Sequence, residues 1–449
     1  MAEATLAGIR RLPRQIALWR WAGPVGLVGL FLICFGLYAW IGPNQNETDG
    51  WFPLASSLLH GHFWIDGSRP WIELVPGANG VFYLPFPPIP AVVLMPIVAV
   101  LGEGFSDTSG VSALAGAINV LLVLALLRGL RLRLRDALVL TLAFGFGSEA
   151  FYVAATGGVH LWTETLAVTF ILAALNLALR GRWPWVAGFM LGLAVGCRPT
   201  VLLTGPAFVV LFWRAEGWLS RGETATDTTS PDSPATNRAG LAARLEAAWP
   251  RIETLLRRAD WAGIASLTLG ALLVGIWLAL FNVVRFGSPL EFGYDLIRGP
   301  DGSSVLSEAW YSQGIVSPFY LARGLFTMVL RGWDFNENFP WAQPNWAGCS
   351  IFFTTPILVF LARARWRDPL VLAGWLGLVL PVTLDLMHGN PGYAQFGYRF
   401  ILDGLPFAWL LLGLVVARRG LSRGMVAAVA AGAAINVYGL ACLSAGFVH

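Results

Sequence analysis

Four groups of ionisable residues stand beside long apolar runs, and their types suit the handling of an anionic group carried on a lipid. The first is Asn46-Glu47-Thr48-Asp49-Gly50-Trp51, which sets two carboxylates directly after the first long apolar run. Asp49 is followed by Trp51, Phe52, Leu54, Leu58 and Leu59, spaced for a helix lying in the membrane interface with one apolar face down. Such a helix holds the acid at headgroup level; a plain solvated loop acid is the competing reading. The second group is His160 and Glu164 in Gly157-Gly158-Val159-His160-Leu161-Trp162-Thr163-Glu164. Four residues apart at a helix start, they share one face and point toward one cavity. A first-turn glutamate also suits the helix dipole, and His160 suits hydrogen bonding to a substrate or to Glu164 better than metal ligation.

The third and fourth groups are arginines. Arg198 lies in Gly196-Cys197-Arg198-Pro199, and Arg399 in Gly397-Tyr398-Arg399-Phe400-Ile401-Leu402-Asp403. Each has a simple alternative: Arg399 paired with Asp403 at i, i+4, or either side chain snorkelling to the interface. Ionisable groups at the edges of spans are nonetheless site candidates by default, and a guanidinium binds phosphate through a planar fork. A lipid phosphate is the economical anion for both.

The elements that must position these residues are membrane helices. Over half the sequence is hydrophobic (56%) and only 12% is charged, which assigns an all-α polytopic membrane protein. Runs long enough to span lie at about 22–42, 111–129, 137–154, 161–179, 184–197, 200–213, 262–284, 349–363, 369–387, 399–417 and 425–446. The pair from 184 to 213 is broken at Arg198-Pro199. Every basic residue is arginine, and the clusters order the topology. Arg10, Arg11, Arg14 and Arg20, then Arg128 to Arg135, Arg180 with Arg182, the segment from Arg214 to Arg258, Arg363 to Arg367 and Arg418 to Arg423 belong on the cytoplasmic side. That arrangement requires 87–101 to be re-entrant or interfacial, and gives 11 transmembrane helices with the N-terminus inside. The N-terminal run is a retained anchor, lacking a small-residue cleavage pattern after it.

The chain thus reads as one integral membrane domain, 1–449. Its first outer loop, 43–83, carries the interfacial helix, and the long outer loop, 285–348, carries another interfacial stretch. A third, short outer loop covers 386–398. The 215–260 segment is cytoplasmic, a disordered linker at 220–240 followed by an amphipathic helix at about 241–256. The long outer loop is rich in tryptophan, tyrosine, amides and carboxylates, a composition that suits membrane anchoring and carbohydrate binding alike. Asn46-Glu47-Thr48 also fits a glycosylation sequon. Cys34, Cys197, Cys349 and Cys442 lack metal-type spacing and read as small core residues. Scattered basic residues exclude a nucleic-acid binder, and no P-loop, nucleotide fingerprint, nucleophile motif or HExxH is present. Any group this protein transfers therefore arrives already activated on a membrane-soluble carrier.

Four signatures in order along the chain resemble the polyprenyl-phosphate-dependent glycosyltransferases of the C superfamily, which include protein O-mannosyltransferases, aminoarabinose transferases and oligosaccharyltransferase catalytic subunits. They are Asp49 with the helix at 51–61, Val81-Phe82-Tyr83-Leu84-Pro85-Phe86-Pro87-Pro88, Arg198-Pro199-Thr200, and Gly397-Tyr398-Arg399. The resemblance implies an inverting transfer of a sugar from a polyprenyl-phosphate donor to an extracytoplasmic glycan, lipid or protein, at the outer face of a bacterial-type plasma membrane. It implies Asp49 as general base or metal-binding acid, Arg198 and Arg399 on the leaving phosphate, and Glu47, His160, Glu164 and Tyr398 as substrate contacts. A divalent metal belongs to that pattern. Where many relatives place an aspartate in the second outer loop, this chain has His160 and Glu164, a thin set for a hard metal. The rival class is a non-enzymatic lipid-linked-sugar transporter or assembly subunit, for which paired broken helices in both halves are the expected mark; one good broken pair is visible here.

Overall fold

The computed structural model describes residues 22–43, 46–69, 72–213, 259–298, 302–365, 368–392 and 395–447. The N-terminal arginines at 10–20, the 220–240 linker and the 241–256 helix lie outside the described residues. Among those described, six helices are long and apolar enough to cross a membrane, and a seventh crossing arises if one bent pair counts as a single span. They are α1 (Ala22–Ile41), α4 (Thr108–Gly129), α7 (Gly158–Leu179), α10 (Trp261–Phe286), α11 (Pro369–Leu386) and α13 (Arg423–Ser444). The bent pair is α5 (Leu134–Phe146) and α6 (Glu149–Thr156), which meet at 53°.

The remaining runs are present as shorter or divided helices rather than as the eleven continuous spans read from hydropathy. The reasons are local. Ser148 ends one helix and starts the next, donating to the Phe144 carbonyl at 2.6 Å and capping the Ala150 N–H at 3.3 Å. Arg198 and Thr355 each precede a proline and adopt non-helical backbone, so the chain breaks there. After Arg198 come a 3₁₀ turn, Pro199–Thr204, and α9 (Gly205–Trp213); before it lies α8 (Pro184–Val195). The 349–363 run divides into Ile351–Thr354 and the 3₁₀ helix Pro356–Arg363. The 399–417 run divides into the 3₁₀ turn Arg399–Asp403 and α12 (Leu405–Arg419), which restarts at a proline in its first turn.

The 43–83 segment forms a helix, α2 (Trp51–Leu59), whose apolar residues Trp51, Phe52, Leu54 and Ala55 are buried against the protein, and a small antiparallel sheet. In that sheet β3 (Val81–Tyr83) lies between β1 (Ile65–Asp66) and β2 (Val75–Pro76). The 87–101 run forms α3 (Ile89–Leu101), whose 13 residues cover about 20 Å at 1.5 Å each, short of the ~30 Å hydrocarbon layer. One side of α3, with Ala91, Leu94 and Val98, packs into a core with Trp51, Phe52, Leu54, Trp162 and Leu166. Val100 and Leu101 face outward. All four cysteines are free and buried.

Two ends of the bundle are chemically distinct. The starts of α7 and α12 and the ends of α8 and α11 carry the polar residues described below. Arg180 follows the end of α7, Arg418 and Arg419 close α12, and Arg418 bonds Asp368 at the start of α11. The polar site and these arginines therefore sit at opposite ends of the same helices.

Helices α8 and α10 pack backbone to backbone, because a Cβ at Gly188 would lie 1.8 Å from the Leu267 carbonyl oxygen. Gly188→Leu is expected to force them apart and cost about 1–3 kcal/mol of stability. Gly275→Leu, on a part of α10 with no atom within 4 Å of the added Cβ, is expected to change nothing. Thermal unfolding midpoints in detergent check both, and equal midpoints for the two variants would refute the packing described.

Candidate active site

Arg198 is the hub of a buried ion cluster. It sits in extended backbone between α8 and the following 3₁₀ turn, and each of its guanidinium nitrogens has a carboxylate. Nε donates to Asp403 Oδ1 at 2.6 Å, Nη1 to Glu164 Oε1 at 3.2 Å, and Nη2 to Asp385 Oδ1 at 3.4 Å. The acids come from three places: Glu164 from the second turn of α7, Asp385 from the last turn of α11, and Asp403 from the 3₁₀ turn before α12. Thr200 adds a hydroxyl donor to Asp403 Oδ2. The helical pairing expected between Arg399 and Asp403 is absent. Their turn is 3₁₀, with three residues per turn, so i and i+4 do not eclipse and Asp403 turns to Arg198 instead.

Arg399 is brought to the same cluster but is held far less tightly. Its Nη1 lies 3.6 Å from Glu164 Oε1, Nε is buried without a partner, and no hydrogen bond from its guanidinium is formed among the described residues. Both guanidinium groups lie within cation–π distance of the Phe400 ring, at 5.3 Å for Arg198 and 5.2 Å for Arg399. The backbone of Arg399 is fixed instead. Its N–H donates to Gln395 Oε1 at 3.2 Å, and Gln395 Nε2 donates to the carbonyls of Ala347 and Pro391, both at 2.8 Å. Behind it, Glu149 at the start of α6 accepts from the Thr354 hydroxyl and lies so close to Gly397 that a Cβ there would stand 1.8 Å from Oε1. A larger residue there would push the Glu149 carboxylate from its place.

Above the arginines lies a polar recess. Its members Glu73 and His160 are partly exposed, keeping 45% and 41% of their side-chain surface. Glu73 Oε2 and His160 Nε2 are 3.8 Å apart. Aromatic edges make the walls: Phe86 meets His160 at 5.2 Å and Tyr294 at 5.8 Å, while His388 meets Tyr311 and Phe400, each at 5.8 Å. Arg285, at the end of α10, clamps the aromatic-proline run by donating to the Leu84 carbonyl at 2.6 Å. His388 Nδ1 lies 2.7 Å from the Asn390 carbonyl. Burial, and then the fields of Arg198, Arg399 and Arg323, hold His388 below the usual imidazole range against that hydrogen bond.

The remaining residues singled out by sequence have the following partners. Asp49 is buried, with Oδ1 accepting from the N–H groups of Trp51 (2.8 Å) and Phe52 (3.2 Å) and Oδ2 from Ser106 Oγ (2.7 Å). No contact joins it to Arg198 or Arg399. Burial raises its pKa, opposed by Ser106, the two N–H groups and Arg69. Trp51 donates to the Val159 carbonyl at 2.6 Å, so the Asp49 turn is tied to the residue before His160. Glu47 is exposed on the preceding 3₁₀ turn. Tyr398 is fully buried, its hydroxyl 3.4 Å from the Asp385 carbonyl, and offers no surface to a substrate. His160 and Glu164 share a helix but not a partner: Glu164 turns inward to the arginines and His160 to Glu73. The sequon residue Asn46 donates to Asp107 at 3.1 Å and accepts from Thr108 and Ser109, both at 3.1 Å.

The carboxylates that converge here do so on a guanidinium, and no group of three or more His, Cys, Asp or Glu side chains is arranged around a metal position among the described residues. The sequence reading did not single out Glu73, Asp385, His388 or Glu149. Asp385, at the edge of an apolar run, carries the same signal that marked Arg198; Glu73, in a polar loop, carries none.

No protein-family model matches the sequence, and no curated protein is similar to it. Three solved structures are similar at low identity. The oligosaccharyltransferase of Archaeoglobus fulgidus in its apo form is 14% identical, with a TM-score of 0.41 over 94% of this chain and 55% of that one. AglB from the same organism, in complex with an inhibitory peptide and a dolichol-phosphate, is 15% identical, with a TM-score of 0.44 over 95% and 56%. ArnT from Cupriavidus metallidurans bound to undecaprenyl phosphate is 14% identical, with a TM-score of 0.48 over 94% and 76%. This chain spans about half the length of the two archaeal structures.

Proposed function

We propose that this protein is a membrane glycosyltransferase that takes a sugar from a polyprenyl-phosphate donor, with Arg399 as the cation that receives the leaving phosphate. One observation carries the reading: a buried arginine with an unsatisfied donor, packed against the Phe400 ring, lies in the same polar region as the partly exposed Glu73 and His160. A guanidinium has five N–H donors, and leaving them unmatched away from water is costly unless an anion arrives. Arg198 has every nitrogen committed to a carboxylate, so its part is to hold the cluster together and set the position of Phe400 beside Arg399.

The recess belongs on the non-cytoplasmic face in this reading, because Arg180, Arg418 and Arg419 mark the opposite ends of the same helices. Eleven crossings and a bacterial-type plasma membrane remain part of the proposal. The sugar and acceptor would lie against Phe86, Tyr294 and Tyr311, with His160 and Glu73 supplying hydrogen bonds. Asp49 enters as the anchor of the first outer loop rather than as the acid on the reacting atoms, since its oxygens already accept from Trp51, Phe52 and Ser106.

Purified protein incubated with labelled polyprenyl-phosphate sugars is expected to release label from the lipid to a hydrophilic acceptor; binding without release would make it a carrier or assembly subunit. Arg399→Ala is expected to fold and to weaken undecaprenyl phosphate binding more than acceptor binding. Arg198→Ala, which strands three buried carboxylates, is expected to cost about 3–5 kcal/mol of stability and to fail in thermal assays before any assay of binding. Asp49→Asn keeps an amide oxygen for the Trp51 and Phe52 N–H groups and is expected to lose less than tenfold in rate; a loss of about 10² to 10⁴ would restore it as general base.

A further inference from the structure

We propose that Glu73 is the general base of the transfer, drawing the proton from an acceptor hydroxyl while Arg399 receives the leaving phosphate. The assignment rests on the glycosyltransferase reading above. Of the carboxylates near the arginines, Glu164, Asp385 and Asp403 are buried and paired with Arg198. Asp49 caps α2. Glu73 keeps 45% of its side-chain surface, stands 3.8 Å from His160, and has Arg399 as the main attractive charge acting on it.

Its position is imposed by the backbone. Ile72 and Leu74 on either side are buried, the Leu74 carbonyl accepts from the Arg298 N–H at 3.4 Å, and Val75 pairs with Tyr83 in the β2–β3 ladder. Glu73 thus faces the recess from a strand edge pinned on both sides. His160 Nε2 stands 3.8 Å away, too far for a direct hydrogen bond yet close enough for one acceptor oxygen to lie within hydrogen-bond reach of both.

The step balances without a further reagent. The acceptor O–H proton passes to the Glu73 carboxylate, and the oxygen's electron pair forms the bond to the anomeric carbon. The bond from that carbon to the phosphate oxygen breaks, its electron pair stays on the phosphate, and Arg399 neutralises the added charge.

The groups facing Glu73 give the assignment a pH signature. They are Arg399, Glu308, His160, Tyr294 and Tyr311. Burial raises Glu73 above the ordinary carboxylate range, with Arg399 opposing and Glu308 adding. A base with a raised pKa works above that pKa, and its activity falls as pH drops through it. Asp49 answers to a different charge, Arg69.

The test uses the full chain in detergent or nanodiscs, with undecaprenyl phosphate as the binding probe and kcat/KM followed against pH. Glu73→Gln is expected to keep the wild-type melting midpoint and probe affinity and to lose about 10² to 10⁴ in kcat. Glu308→Gln is expected to move the acid limb of the profile to lower pH, and Arg69→Gln to leave it in place. A Glu73→Gln enzyme within threefold of wild type overturns the assignment and leaves the glycosyltransferase reading standing. So does an acid limb that moves with Arg69→Gln and not with Glu308→Gln, which would point to Asp49. A wild-type protein that binds the probe but releases no sugar from any polyprenyl-phosphate donor overturns the reading and the assignment together.

Discussion

The contact between Arg198 and its three carboxylates is the constraint on which the polar half of this protein depends. Glu164, Asp385 and Asp403 are each almost fully buried, and a carboxylate removed from water is tolerable only when a cation and hydrogen bonds replace the lost solvation. One guanidinium serves all three, so α7, α11 and the turn before α12 are pulled to the break after α8. Two cations stand against three acids. Arg399, sharing Glu164 at the longer distance of 3.6 Å, is left with the weakest claim on that negative charge and with donors to offer elsewhere.

Interrupted helices make this geometry available. A continuous helix satisfies its own backbone and presents side chains only sideways, whereas a break exposes chain ends that must find partners inside the protein. Here the breaks at Ser148, Arg198 and Gly404 lie next to the polar site. Glu149, Arg198 and Arg399 occupy those interruptions. The strongest local departures from regular structure and the densest charge thus coincide, as expected where local preference gives way to function.

The 43–86 and 285–348 segments dock on each other beside His160. Arg285 binds the aromatic-proline run, Arg298 bridges to Leu74, and Phe86 touches both His160 and Tyr294. Arg285 and Leu84 are some 200 residues apart, so this region is a product of long-range docking and not of any one motif.

Hydropathy was enough to assign a helical protein with spans long and apolar enough to cross a membrane, to place a helix after Asp49, and to mark the break at Arg198, because span length and pre-proline strain act locally. The same rule that singled out Arg198 and Arg399 extends to Asp385, another charge at the edge of an apolar run. Tertiary structure alone decided how each charge is used. It made Asp49 a cap with both oxygens engaged, enclosed Tyr398, split the line of His160 and Glu164 between two partners, and left Arg399 rather than Arg198 with open donors. Glu73 had no mark in sequence because its neighbours in the recess come from four distant segments. A carboxylate's role depends on which charges and how much water surround it, and those are properties of the folded arrangement rather than of spacing along the chain.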